Sequence, residues 1–387
     1  MLGSLAKLKA ELPALRYFCG LDVEVLDAIR KNMSVQSIYF NADITPFARH
    51  RDALLNEWAI KHGVQCNGVL GDYTLIEPSS MVKPYQVFTP FYKKYKDDIV
   101  KPNKYVVDIG MFVKASGFPS HHFDQVDDIG DTYEVLKKAK QLKDYNARRD
   151  IPSDDDGTTK LSPYLKYGCI SIRQAAFALK NIEPLVRQLF WRTFYDQIAW
   201  HFPRVLGGFK RGTANMSLRE KYDRYEWSNN TEHFRLWKQG KTGFPLVDAG
   251  MRQLNASGYM HNRVRMVVAS FLIKDLHIDW RWGEQYFAQT LVDYYPTANN
   301  GGWGFSSGGG ADAMQYNRVF NPWLQSKKYD KECIYIKKWV PELQSVPNKI
   351  VHELYLHVDS HIYHKPIVDH SVNTGEYKRK LKSILRI

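Results

Sequence analysis

The chain has 387 residues, 44% of them apolar and 25% charged, a composition of soluble globular proteins with enough chain for one large domain or two ordinary ones. Its formal net charge of +13 leaves two readings open: a polyanionic partner, nucleic acid above all, or a basic surface that only confers solubility. No apolar run approaches membrane-spanning length, and the four cysteines (Cys19, Cys66, Cys169, Cys333) show no metal-ligand spacing, which points to reduced thiols in an intracellular, soluble protein. The start, MLGSLAKLKAELPAL, is too polar for a signal-peptide core and reads as a surface helix. An aromatic content of 14% suits aromatic-lined pockets, base-stacking surfaces or a rich helical core.

Along the chain, Ser4–Leu12 reads as helix and Leu15–Cys19 as a short strand. Asp22–Asn32 reads as a helix capped by Asp22, Val35–Phe40 as a buried strand, Pro46–His62 as a longer helix and Tyr73–Ile76 as a strand. This alternation predicts an α/β domain over 1–89 with a parallel sheet. Residues 90–128 carry Pro, Gly, His and Asp without periodicity and read as an interdomain linker. From 129 to 387 the patterns are helical. Leu185–His201 and Pro245–Leu276 are long helices, the second broken near Gly258, and Gly283–Tyr294 is another. The tail (Lys378, Arg379, Lys380, Lys382, Arg386) is a basic helix end, read as a solvated face.

Four places could carry chemistry. Ala298–Trp303, ANNGGW, combines two amides with two glycines that permit positive φ and close backbone approach to a ligand. Its tryptophan is a packing residue, a stacking platform or an electron relay. Gly157–Ser162, GTTKLS, is a hydroxyl-rich turn before a helix, suited to phosphate or to simple capping. Gln188, Trp191 and Arg192 share a helix face, and helical spacing puts Tyr259, Asn262 and Met266 on another. His261 has no companion at metal-ligand spacing and reads as structural; no metal is expected. No Walker or dinucleotide glycine motif is present. Trp227, Trp280 and Trp303 lie in separate segments that read as helical, and spacing alone makes them core.

From Tyr145 to about Val351 the chain resembles the photolyase/cryptochrome family, class I cyclobutane pyrimidine dimer photolyases in particular. The carrying motifs are DGTTKLSPYLKYGCIS, LFWRTFY, GKTGFPLVDAGMRQLNASGYMHNRVRM, IDWRWGEQYF, ANNGGW and FNP; SIYFNADITPFARHRD and QVFTPFYKKY match more weakly. The resemblance implies an α/β domain followed by a large all-α domain that holds FAD. By position it puts Tyr145, Thr158, Thr159, Lys160, Leu161 and Ser162 at the cofactor's phosphate and ribitol part, an Arg265–Asp293 ion pair beside the flavin ring, and Asn299 at flavin N5. Gln188, Arg192 and Tyr295 complete the cofactor contacts. Trp303, Trp280 and Trp227 take the positions of the family's electron-transfer triad, with Trp227 outermost. Gln188, Trp191, Asn262 and Met266 match the dimer pocket, and Arg149, Trp191, Asn262, Arg263 and Phe305 its DNA contacts.

The implied activity is light-driven repair. A dimer in single- or double-stranded DNA is flipped out of the stack, and reduced, photoexcited FAD donates the electron that opens the cyclobutane ring. A flavoprotein photoreceptor or DNA-binding protein without repair activity is the alternative within the family. The chain departs from the dimer-photolyase pattern at Gln188 (usually glutamate), Tyr259 and Phe305 (usually tryptophan) and Tyr295 (usually aspartate). Asn262 and Met266 stand where the six-four branch carries histidines. The N-terminal sheet is expected to be incomplete, with a second chain as one way to complete it. TPFARHRD lacks the residues that hold a folate antenna, so the resemblance does not extend to an antenna chromophore.

Overall fold

In the computed structural model, residues 1–99, 101–102, 112, 120, 130–207, 214–312, 318–357 and 361–385 are described. Two helices, α1 (Leu2–Glu11) and α2 (Asp22–Arg30), precede a β-α-β unit made of β1 (Ser37–Asn41), α3 (Pro46–His62) and β2 (Gln65–Val69). The ends of α3 follow from its sequence. The Thr45 hydroxyl accepts from Ala48 N at 3.4 Å, Pro46 takes the first helical position, and Gly63 closes the helix with φ 66°. The strands pair in parallel from Ser37 opposite Gln65 to Asn41 opposite Val69. Trp58, Ala59 and Val64 form the small core beneath them, with Ile38 and Cys66 packed alongside.

The parallel α/β reading is therefore correct, with a sheet of two strands among the described residues. Three local expectations fail. Leu15–Cys19 is not a strand, because no neighbouring strand takes up its backbone among the described residues. Tyr73–Ile76 is not one either: a 3₁₀ turn covers Gly71–Tyr73, and Leu75 N donates to the Thr193 hydroxyl at 3.2 Å rather than to a strand. Asp22 occupies the first helical position, where its charge complements the helix dipole, and Leu21 precedes it as the cap. The second strand, QCNGV, escaped the sequence reading because it lacks apolar alternation.

Helix α4 (Phe88–Tyr95) crosses the expected boundary at residue 90, and most of the expected linker lies outside the described residues. Beyond it come α5 (Thr132–Ala139), α6 (Tyr145–Arg148), α7 (Ser162–Lys166), α8 (Ile172–Ala178), α9 (Glu183–His201), α10 (Thr231–Gln239) and α11 (Pro245–Ser257). Then follow α12 (Asn262–Lys274), α13 (Trp280–Thr290), α14 (Pro296–Ser307), α15 (Pro322–Tyr329), α16 (Ile334–Trp339), α17 (Asn348–Val351) and α18 (His370–Leu385). Gly258, at φ 65°, breaks the long apolar segment between α11 and α12 as its position suggests. No described helix is long and apolar enough to cross a membrane. The described cysteines are free thiols, and Arg386 of the basic tail lies outside the described residues.

Helix α9 joins the two parts. Its Thr193 and Gln197 bond the backbone of Leu75 and Tyr85 from the N-terminal side, and Trp191 stacks on Phe88 of α4 with ring centroids 3.8 Å apart. Helix α14 lies between α9, α12 and α13, and glycines make that possible. A Cβ on Gly301 would stand 2.1 Å from the Tyr195 ring, and one on Gly283 of α13 would stand 2.1 Å from the Trp303 indole. Gly283→Ala forces the fully packed Trp303 and Leu272 to move. It is expected to destabilise the protein by about 1–3 kcal/mol, the usual cost of overpacking, read as a lower unfolding midpoint in denaturant. An unchanged midpoint would contradict this packing.

Candidate flavin and DNA site

ANNGGW lies inside α14, so Gly301 and Gly302 have helical backbone, not the positive φ that the sequence allowed. One face of the helix is buried through Asn300, Trp303, Gly304 and Ser307. The opposite face, Asn299, Gly302 and Phe305, remains accessible. Above Gly302 no heavy atom stands within 4 Å of an added Cβ. Asn299 donates through Nδ2 to Glu284 Oε1 at 2.9 Å and to Glu284 O at 3.1 Å, and these bonds do not use its Oδ1. Glu284 is 7% exposed. Burial pushes its carboxyl up, opposed by the Asn299 hydrogen bond. Sequence reading missed this residue, although a lone carboxylate four positions after Trp280 on α13 was the available signal.

Next to this face is an ion pair. Arg265 Nη2 lies 3.1 Å from Asp293 Oδ1 and 3.0 Å from Oδ2, and its Nε donates to Met260 O at 2.7 Å. Ser162 Oγ donates to Asp293 Oδ2 at 2.7 Å. With the Asp293 side chain only 4% exposed, removing Arg265 would strand a buried carboxylate at a cost of about 3–5 kcal/mol. The Tyr259 ring lies 5.4 Å from the Arg265 guanidinium. Burial raises its phenol, as it does for Tyr145. Tyr145 in turn stands 5.2 Å from Arg149.

The GTTKLS turn thus reaches the site through Ser162. It is not a capping cluster, since no side chain caps α7. Leu161 is buried, Thr158 is half-buried, and the Thr159 hydroxyl accepts from Leu161 N at 3.3 Å. Lys160 turns outward, φ 50°, to within 3.8 Å of Asp155.

The rim comes from α9 and the start of α12. Gln188, Trp191 and Arg192 share a face as the spacing required. Arg149 Nη2 donates to Gln188 Oε1 at 3.4 Å, and Trp191 leans on Phe88 and Tyr195. The Arg192 guanidinium lies 3.8 Å from the centre of the Tyr295 ring. Tyr295 and Thr297 donate to Asp196 Oδ1 at 2.9 and 2.7 Å. Burial pushes the Asp196 carboxyl up to about 7, against Arg192 and these two hydrogen bonds. Asp196 was also missed, its position on α9 being silent without the tertiary contact.

Tyr259 precedes α12 rather than continuing it, so the common helical face with Asn262 and Met266 does not exist. Those two are one turn apart on α12, with Asn262 Nδ2 3.9 Å from Met266 Sδ. Arg263 pairs with Asp150 at 2.8 Å. His261 caps α12 by accepting from Arg263 N at 3.2 Å, and burial lowers its pKa to about 4, a structural role as expected. Among the described residues no group of His, Cys, Asp and Glu could hold a metal.

Trp303 and Trp280 are both 2% exposed. Trp280 and Trp227 line one crevice with Tyr225 and Tyr377. Trp227 stands in an extended segment before α10, not in a helix as its pattern suggested. The ring neighbours of Trp303 are Phe287 at 5.1 Å and Trp237 at 6.3 Å; Trp237 was not singled out by sequence.

Comparison with known proteins identifies the family. The FAD binding domain of DNA photolyase matches residues 185–383, and the DNA photolyase domain matches 1–106. Deoxyribodipyrimidine photo-lyase of Vibrio cholerae is 33% identical over 95% of this chain and 85% of its own length. That of Alkalihalophilus pseudofirmus is 34% identical over 87% and 76%. The crystal structure of an archaeal photolyase from Sulfolobus tokodaii, which holds two FAD molecules, superposes with a TM-score of 0.83 at 36% identity, covering 99% of this chain and 87% of that one. A Synechocystis cryptochrome superposes with a TM-score of 0.82 at 28% identity, covering 98% and 87%. The chain belongs to the DNA photolyase/cryptochrome family.

Proposed function

We propose that this protein is a deoxyribodipyrimidine photolyase, which uses FAD and light to split cyclobutane pyrimidine dimers in DNA. The observation that carries the site assignment is the open face of α14, flanked by Asn299 and the Arg265–Asp293–Ser162 cluster. These residues fit a flavin. The backbone at Gly302 is bare, with no heavy atom within 4 Å of an added Cβ, and the buried Arg192 Nε has no hydrogen-bond partner. In this reading Tyr145, Arg192 and the Thr158–Ser162 turn hold the phosphate and ribitol part, while Tyr295 positions Arg192. The Arg265–Asp293 pair borders the ring. Asn299, its Nδ2 held by Glu284, offers Oδ1 to a ring N–H.

Bound FAD supplies light absorption and the electron that opens the cyclobutane ring. The chain supplies orientation and exclusion of water. Asn262, Met266 and Phe305 form one side of the dimer pocket, and Trp191 with Gln188 the other. The Gln188 amide donates to a dimer carbonyl but, unlike a carboxylic acid, holds no ionisable proton for it. Arg149 and Arg263 hold phosphates at the rim, in keeping with the net charge of +13. Because the lesion is read outside the stack, both single- and double-stranded DNA are substrates in this proposal.

Blue light on the flavin-loaded, reduced protein is expected to restore thymine absorbance to an ultraviolet-irradiated oligonucleotide, with no change in the dark. Flavin photoreduction with no repair would instead identify a photoreceptor. The tryptophan assignment has its own test. Trp303→Phe should slow photoreduction of the oxidised flavin at least tenfold while leaving repair by chemically reduced protein intact, as followed by flavin absorbance and by the oligonucleotide assay. Equal loss of both would reject an electron-relay role for Trp303.

A further inference from the structure

Behind the α14 face lies a cavity of about 90 Å³, room for several waters or one tetrahedral oxyanion. Met266, Phe305 and Phe320 give it a largely apolar lining. Lys274, Ser270 and Ser306 also line it, and each is less than 10% exposed. Arg318 completes the lining, its guanidinium 5.5 Å from the Phe320 ring centroid. The set contains two cations and two hydroxyls, and no carboxylate.

Lys274 is the unusual member. The residue is 2% exposed, and its ammonium donates to Arg318 O at 2.8 Å. Among the described residues no other hydrogen bond or ion pair reaches it, leaving two of three donors unspent. The adjacent carboxylate, Asp275, pairs through Oδ1 with His370 Nδ1 at 2.5 Å, and its buried Oδ2 has no hydrogen-bond partner and makes no ion pair with Lys274 among the described residues. Burial lowers the Lys274 pKa to about 7, with Asp275 opposing and Lys378 reinforcing the shift. A buried ammonium beside a largely apolar cavity, with no ion pair to an anionic side chain among the described residues, is costly. An entering oxyanion would supply that partner through charge-assisted hydrogen bonds.

We propose that this cavity is an oxyanion subsite that takes one phosphate-class group onto Lys274, Ser270, Ser306 and Arg318. The lining shares Met266 and Phe305 with the dimer pocket proposed above. The group is therefore a backbone phosphate of bound DNA or a free phosphate from solution. Only the DNA source rests on the repair reading. The anion site stands on the cavity itself.

Sulfate is the cleanest probe, because its charge does not change near neutral pH. Titrated into the full chain against chloride at constant ionic strength, it should bind about tenfold more weakly at pH 8 than at pH 6, since the receiving ammonium deprotonates near 7. Lys274→Met should abolish that binding, and Ser270→Ala should weaken it at least threefold with the circular dichroism spectrum unchanged. If the occupant is a DNA phosphate, sulfate competes with an irradiated oligonucleotide, and Lys274→Met weakens oligonucleotide binding. If it is free phosphate, sulfate and inorganic phosphate bind without altering oligonucleotide affinity. Sulfate binding equal to chloride, independent of pH, or retained in folded Lys274→Met would overturn the proposal.

Discussion

The close approach of α14 to α9 and α13 is the constraint on which the site depends. Tyr195 and Trp303 occupy the space where side chains on Gly301 and Gly283 would stand. With those contacts made, α14 has a fixed rotation about its axis. Asn300, Trp303 and Ser307 then face the core, while Asn299, Gly302 and Phe305 face outward. Overpacking either contact by one methyl acts on the orientation of Asn299 and on the open space above Gly302 together. Packing and site are thus one structural fact.

Charge is arranged around that face with the same economy. Each arginine near the site has a local anion or aromatic ring: Arg265 with Asp293, Arg263 with Asp150, and Arg192 over Tyr295. The pairing holds the guanidinium groups in place while leaving donors for a phosphate, because one carboxylate does not exhaust five N–H groups. Asp196 is the exception that the sequence could not announce. Its carboxyl, fully buried and pushed up to about 7, supports Tyr295 and Thr297 from below and touches no expected ligand residue other than Tyr295.

Motifs that owe their composition to the site were legible. The Arg265–Asp293 pair forms as expected, and Ser162 of GTTKLS is tied to Asp293. The reason for ANNGGW was misread. Conformational freedom is the usual explanation of paired glycines, whereas here Gly301 admits the Tyr195 ring and Gly302 keeps a helix face bare. Glu284, Asp196 and Trp237 escaped because each acts across elements far apart in sequence, and a single helix pattern records no such partner. The N-terminal errors have the same root. Leu15–Cys19 and Tyr73–Ile76 have strand-like residues, but a strand exists only with a neighbour, and the backbone of Leu75 is spent on Thr193.

With the flavin placed as proposed, Gly302 separates folding from cofactor binding. Gly302→Ala adds a methyl to a helical position with open space around it, so the apoprotein should gain up to about 1 kcal/mol of stability. The same methyl enters the space assigned to the flavin ring. Titration of FAD into the folded variant, followed by quenching of flavin fluorescence, is therefore expected to show at least tenfold weaker binding than the unsubstituted protein. FAD affinity equal to that of the unsubstituted protein would contradict the placement of the flavin on this face.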